Sequence, residues 1–310
     1  MGQKDIAEAS FIELNDVFAD IFNVLIYKGK RVIKEKELLS MPRKSQYKSD
    51  SDKLHEQERD VLKKWRGRDV ELAILGVENQ TLPDKDMPFR IINYDGVSYR
   101  SQIKKKSQKR YPVITIVLYF GENQEWNYSP HLTDCFNTKL PKDDALWEYI
   151  SDYKINVFDI GALADGELSL FQSDFREIAE HFVKIRRGGE YIPSKRTIKH
   201  VDEFLKLMKV LTGDERYSEI KEELCMKKGD DVSMCTVIDT FEKRGIDIGI
   251  QTGIERGIKK GMDIGIERGI KKGAQQELTA LVRDGIISKE IAAQRLEMSM
   301  EEFEKLLITK

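Results

Sequence analysis

Residues 70–81 read VELAILGVENQT. The largely apolar run from Val70 to Val77 predicts a strand buried in a sheet. It stops at a carboxylate and two amides, Glu78-Asn79-Gln80. A carboxylate at a strand end is fixed by the backbone while its oxygens reach a cleft, which suits a hard cation such as Mg²⁺. Such a site wants a second acid, and two lie near in sequence. Asp69 is out of reach: along one extended segment it sits about 30 Å from Glu78, at about 3.3 Å per residue. Asp60 fares better, because its midpoint with Glu78 is position 69, beside the turn-like Arg66-Gly67-Arg68-Asp69. A hairpin folded there sets Asp60 across from Glu78 on the neighbouring strand. The two carboxylates, with the carbonyl of Asn79 between them, then form a candidate Mg²⁺ site. The other reading of the same spacing is an exposed hairpin carrying surface acids.

Outward from this hairpin the pattern is mixed. Apolar residues at Phe11, Leu14, Phe18, Ile21, Phe22, Leu25 and Ile26 predict a helix over Phe11 to Tyr27, with Gly29 as its stop. Met41 to Lys53 is polar and reads as a loop, and Met87 to Ile103 has helical character. The uncharged, β-branched and aromatic YPVITIVLYF (Tyr111 to Phe120) predicts a central buried strand. Tyr153 to Ile160 alternates and predicts another. Helical patterns follow over Leu168 to Arg187, Thr197 to Leu211 and Glu215 to Met226. Strands first and helices afterwards imply a mixed α/β domain followed by a helical extension.

From Gly245 to Gly273 a glycine stands at every fourth position, and IERGIKKG at Ile254–Gly261 recurs at Ile266–Gly273. Each glycine inside a helix costs about 1 kcal/mol relative to alanine. The same spacing clears a track for another backbone, beside a parallel row of isoleucines. A period of four exceeds 3.6, so both rows drift by about 40° per repeat. The expectation is a long, marginally stable helix that self-associates, or a flexible spacer. In the tail, Ser288 is a candidate cap, and Ser299 with Glu302 is a capping-box pattern.

The formal net charge is −2, so a nucleic-acid partner has to be met by a local patch. The densest basic stretch is RSQIKKKSQKR, Arg100 to Arg110, with Tyr94, Tyr99 and Tyr111 around it. Its charges neutralise phosphates on one reading and are simply solvated on the other. Cys135, Cys225 and Cys235 show no C-x-x-C spacing, which argues for a reducing compartment and against a zinc knuckle. The N-terminus lacks a basic segment followed by an apolar one, and no run approaches the roughly 18 apolar residues of a membrane helix. A cytoplasmic protein without a membrane anchor is expected. His55, His131, His181 and His200 form no H-x-x-x-H pair, and neither a P-loop nor G-x-S-x-G occurs.

The blocks FADIFN (Phe18 to Asn23), ERDVLKKW (Glu58 to Trp65), LGVENQT, MPFRIINYDGVSYRSQ (Met87 to Gln102) and YPVITIVLYFG resemble the Rpn family. These are recombination-promoting nucleases of the PD-(D/E)XK superfamily, also labelled transposases. The resemblance covers roughly residues 10 to 235 and implies an α/β fold, a mixed central sheet flanked by helices with the acids on a hairpin. It matches Asp60 to the motif aspartate and Glu78 to the glutamate of E-x-K, while Gln80 stands where the motif has lysine. A glutamine can hold a water but brings no charge, and Lys63 or Arg90 is a candidate for the missing cation. Asp20, on the first helix, is a candidate second acid, or else a solvent-facing aspartate.

The expected organisation is a nuclease core over 1–165, a helical extension over 166–235, the glycine-repeat segment over 236–275 and a short helical tail over 276–310. The expected activity is Mg²⁺-dependent hydrolysis of DNA phosphodiesters. Asp60, Glu78, Gln80 and Asp20 form its catalytic set, and Asp60, Glu78 and Asn79 its metal ligands. Arg90, Lys104, Lys105, Lys106, Lys109 and Arg110 are the expected DNA contacts, and the repeat segment is a candidate homo-oligomer contact. The rival reading is a catalytically inactive nuclease fold that binds nucleic acid or serves as an oligomeric interaction module.

Overall fold

In a computed structural model that describes residues 3–41, 44–48, 54–58, 60–67, 70–104, 109–189, 193–226 and 232–308, the chain opens with helices α1 (Gln3–Ile12) and α2 (Asn15–Leu25). Strands β1 (Leu38–Ser40), β2 (Lys44–Lys48), β3 (Leu54–Glu58), β4 (Val61–Gly67) and β5 (Val70–Gln80) follow. Helix α3 (Met87–Lys104) then leads to β6 (Val113–Tyr119) and β7 (Asn156–Asp159). Five helices come next: α4 (Asp165–Leu168), α5 (Phe175–Arg186), α6 (Val201–Thr212), α7 (Arg216–Glu219) and α8 (Lys221–Cys225). The last three are α9 (Met234–Arg283), α10 (Lys289–Arg295) and α11 (Met300–Ile308). The chain divides into two compact units, 1–241 and 242–310.

The first unit is built on a mixed sheet in the order β1-β4-β5-β6-β7, antiparallel from β1 to β5 and parallel from β5 to β7. Alternation along each strand separates two faces. Val61, Ala73, Leu75, Val77, Ile116, Leu118 and Phe120 point into the larger core, with Phe11, Phe18, Phe22, Phe175, Phe182 and Phe204 from α1, α2, α5 and α6. The opposite face carries Val117 and Ile155 against Met87 and Ile91 of α3, and a smaller group of Leu62, Ile74 and Val113.

Several expectations change here. The single helix over Phe11 to Tyr27 is two, because the chain breaks at Glu13 and Leu14, where Leu14 is extended. The break frees the Glu13 carbonyl to accept from Lys63 Nζ at 2.8 Å. The polar segment read as a loop contains β2, which pairs antiparallel with β3, Lys44 opposite Glu58 through Lys48 opposite Leu54. A ladder of KSQYK against LHEQE has no apolar alternation to announce it. The strand expected over Tyr111 to Phe120 forms as β6, buried and flanked by β5 and β7. Helices within 166–235, expected as an extension, pack into the same core as α1 and α2.

In the second unit the repeat is helical throughout. Ile246, Ile250, Ile254, Ile258, Met262, Ile266 and Ile270 are exposed, and a Cβ added at any glycine from Gly245 to Gly273 meets nothing within 4 Å. Leu278 and Val282 pack with Ala292, Ala293 and Phe303 in a small cluster at the C-terminal end. Ser299 Oγ accepts from Glu302 N at 3.2 Å and Glu302 Oε2 accepts from Ser299 N at 2.9 Å, a reciprocal cap. Among the described residues no helix is long and apolar enough to cross a membrane.

Candidate active site at the end of the sheet

The β4–β5 ladder decides which side chains meet. Near the turn Gly67 opposes Val70 and Arg66 opposes Glu71, but from Trp65 onward the register shifts so that Val61 opposes Val77. The extra residue is Leu72, a β-bulge. Without that shift Asp60 would continue the ladder opposite Val77; with it, Asp60 falls opposite Glu78. A one-residue slip moves a side chain to the other partner and the other face, so the bulge sets the pairing of the two acids. Asp60 Oδ2 accepts from the Asn79 amide at 2.7 Å, which closes the end of the hairpin.

Glu78 lies on the α3 face and is 3% exposed. Its Oε1 accepts from Arg90 Nη2 at 2.5 Å and lies 3.5 Å from Gln80 Nε2, the long limit of a hydrogen bond. Arg90 Nη1 donates to Asp84 Oδ2 at 3.1 Å. Burial works to lower the Arg90 guanidinium, but the charge of Glu78 and the contacts with Tyr94 and Asp84 outweigh it and hold the group well above the ordinary arginine value. Tyr94 is one helical turn beyond Arg90. Burial pushes its hydroxyl up, and the charges of Glu78 and Asp60 push it further against the pull of Arg90. Asp60, Glu78, Arg90 and Tyr94 therefore share one electrostatic neighbourhood. The rotation of α3 is fixed nearby by the buried Asp95, which accepts from Thr115 Oγ1 at 2.6 Å and from the Tyr153 hydroxyl.

Even-numbered residues of β5 bond to β6, as Gln80 O accepting from Phe120 N and Ile74 N donating to Pro112 O show. The same alternation turns the Asn79 amide and main-chain carbonyl toward β4 and Asp60. The Asn79 side chain points into the larger core, where its amide is buried and finds no hydrogen-bond partner among the described residues. Only the main-chain oxygen of Asn79 is therefore a candidate ligand. Two carboxylates and a peptide carbonyl are hard oxygen donors only, a set that suits Mg²⁺ with its remaining positions filled by water. Among the described residues no group of three or more His, Cys, Asp and Glu side chains has metal-binding geometry.

The other predicted residues lie elsewhere. Asp20 is 4% exposed, so the solvent-facing reading is overturned. Its Oδ2 accepts from Gln172 N at 2.8 Å and from Ser173 N and Oγ at 2.7 Å, and its Oδ1 pairs with Arg31. The structure does not bring it into contact with Asp60 or Glu78; it ties α2 to the segment that enters α5. Lys63 is 0% exposed and belongs to the larger-core face. Its Nζ donates to Glu13 O and Asn15 Oδ1 at 2.8 Å, to Ser40 Oγ at 3.0 Å and to Glu13 Oε1 at 3.1 Å. Of the two cations considered for the site, Arg90 is the one that touches Glu78. Lys104, Lys109 and Arg110 are exposed around the end of α3 and the approach to β6, while Lys105 and Lys106 lie outside the described residues. Sequence reading missed Tyr94 and Asp84 as members of the site. The spacing of four between Arg90 and Tyr94 on a helix was the signal available.

Comparison with known proteins bears on these residues. A family model described as "Putative transposase, YhgA-like" matches residues 50–216, a span that contains the β4–β5 hairpin, α3 and β6. No solved structure matches the chain.

Proposed function

Because the chain belongs to the YhgA-like transposase family, which is of the Rpn type, we propose that it is a Mg²⁺-dependent DNA endonuclease serving DNA recombination or defence against foreign DNA. The observation that supports this reading is the bulged hairpin that carries Asp60 and Glu78 to one face at one end of the sheet. Asp60, Glu78 and the main-chain carbonyl of Asn79 would hold the cation. Bound there, Mg²⁺ supplies an activated water and neutralises charge on the phosphoryl oxygens. The chain's own residues do the rest. Gln80, on the face of Glu78, orients a water through its amide. Lys104, Lys105, Lys106, Lys109 and Arg110 neutralise flanking phosphates, so binding weakens steeply as salt rises.

A second reading has its own observation. Arg90 already neutralises Glu78, and Gln80 adds no cation, as fits a nuclease fold that binds nucleic acid without cutting it. Nicking of supercoiled plasmid by the purified chain separates the two. The nuclease reading expects open-circular product with Mg²⁺, none with a chelator, and none from Asp60→Asn. Plasmid retarded in a gel but left supercoiled with Mg²⁺ present would favour the binding module.

A further inference from the structure

We propose that Arg90 is a lock on Glu78 that turns into the phosphate-holding cation when the site is loaded, with Asp84 as the acceptor that retains it. The inference rests on the nuclease reading above. Two carboxylates on one face at one strand end repel each other, and a phosphodiester adds a further negative charge. Something cationic has to balance them, and Arg90 is the group in contact with Glu78. Its guanidinium is held by Glu78 Oε1 at 2.5 Å on β5, by Asp84 Oδ2 at 3.1 Å in the loop before α3, and by the Tyr94 side chain one turn on in α3.

The two ends of the ion pair differ in access. The Glu78 side chain is 4% exposed and the Arg90 side chain 38%. The carboxylate is thus buried, while the arginine side chain that pairs with it is partly exposed to solvent. An arginine presents five N–H donors in a planar fork, and Glu78 and Asp84 take one each through Nη2 and Nη1. The planar fork of donors is the geometry that pairs bidentately with a phosphate. A divalent cation competes with Arg90 for the same Glu78 oxygen. When that contact loosens, Asp84 keeps the guanidinium beside the strand end. The released N–H then faces the anion that the cation attracts. Arg90 therefore opposes binding of the free ion and favours binding of the phosphate, two effects of opposite sign from one side chain.

Asp84 has a second task that makes it a stable anchor. Its Oδ1 accepts from Asp86 N at 2.9 Å at the entrance to α3, while Oδ2 takes Arg90. Asp84→Asn keeps an acceptor for the Asp86 amide and removes the charge that draws Arg90 away from Glu78.

The test is calorimetric titration of the full chain with Ca²⁺, together with fluorescence anisotropy of a labelled DNA duplex in Ca²⁺ over a range of salt. Circular dichroism checks the fold of each variant. Arg90→Gln is expected to bind Ca²⁺ more tightly by about fivefold, the scale of a partly exposed ion pair. Asp84→Asn is expected to bind it more weakly than the native chain, because Glu78 is then the remaining carboxylate that draws Arg90. In the same Arg90→Gln protein the salt slope of DNA binding falls by about one phosphate contact. Arg90→Lys, which keeps charge without the fork, recovers the ion affinity of the native chain but only part of the DNA affinity. Equal Ca²⁺ affinity in native and Arg90→Gln proteins overturns the lock while leaving the metal reading intact. Ca²⁺ binding in neither protein overturns the metal reading and the competition with it.

Discussion

Asp20→Asn separates a structural acid from a catalytic one. Three donors converge on Asp20 Oδ2, from Gln172 N, Ser173 N and Ser173 Oγ, and Arg31 holds Oδ1. Asparagine keeps one acceptor oxygen, so the three bonds survive as neutral ones. Charge-assisted bonds are roughly twice as strong as neutral ones, so each loses about 0.5–0.8 kcal/mol, or about 2 kcal/mol in all. The Arg31 pair is partly exposed on the arginine side, and its loss adds about 1 kcal/mol after screening. The expected destabilisation is about 3 kcal/mol, which for a unit of this size lowers the midpoint by about 6–12 °C. Asp20→Ala should lose more, since two part-buried amides are left without their acceptor at about 1 kcal/mol each. Thermal unfolding by circular dichroism measures the shift, and Ca²⁺ titration at low temperature measures the site. A native midpoint combined with lost ion binding would refute the reasoning and return Asp20 to the catalytic set.

Lys63→Met should destabilise the first unit by about 2 kcal/mol, because it removes the buried ammonium that the half-buried Glu13 and Asn15 acceptors share, while DNA affinity of the folded fraction stays unchanged. Chemical denaturation and anisotropy check the two halves. Burial lowers the pKa of His181 below its ordinary 6.5. The unfolded chain therefore binds the proton first as pH falls, so the stability contribution is full above about 6.5 and is lost below it; His181→Phe should flatten that part of the stability–pH curve. In the repeat, Gly253→Ala and Gly257→Ala each remove a helix penalty of about 1 kcal/mol, and open space surrounds both positions. Helicity should rise on heating curves, and if copies pack along the glycine row, as we propose, sedimentation should show a smaller species; native sedimentation would exclude the row as the contact.

The hairpin was legible because a buried run, a turn and a distant acid obey simple counting. Centring it on position 69 pairs Asp60 with Glu78, and the bulge at Leu72 is what makes that count come out. The face of Lys63 follows from the same ladder, since it alternates with Leu62, yet a lysine in an apolar core is not something its residue type announces. The burial of Asp20 is not legible in the sequence because its partners stand about 150 residues away, at Gln172 and Ser173, and periodicity along one helix carries no trace of them. The β2–β3 ladder was invisible for a different reason: KSQYK and LHEQE contain no apolar alternation to read. Arg90 is expected from the sequence both as a candidate cation beside Glu78 and among the DNA contacts, and the structure sets it in contact with Glu78.

Crystals grown or soaked with Mn²⁺ and measured at its absorption edge test the central claim, that the bulged hairpin builds a metal-dependent site. The account predicts an anomalous peak between the Asp60 and Glu78 carboxylates at oxygen distances of about 2.0–2.6 Å, with the Asn79 main-chain carbonyl facing it. A peak at other residues, or none while Glu78 keeps Arg90 in saturating Mn²⁺, would contradict it.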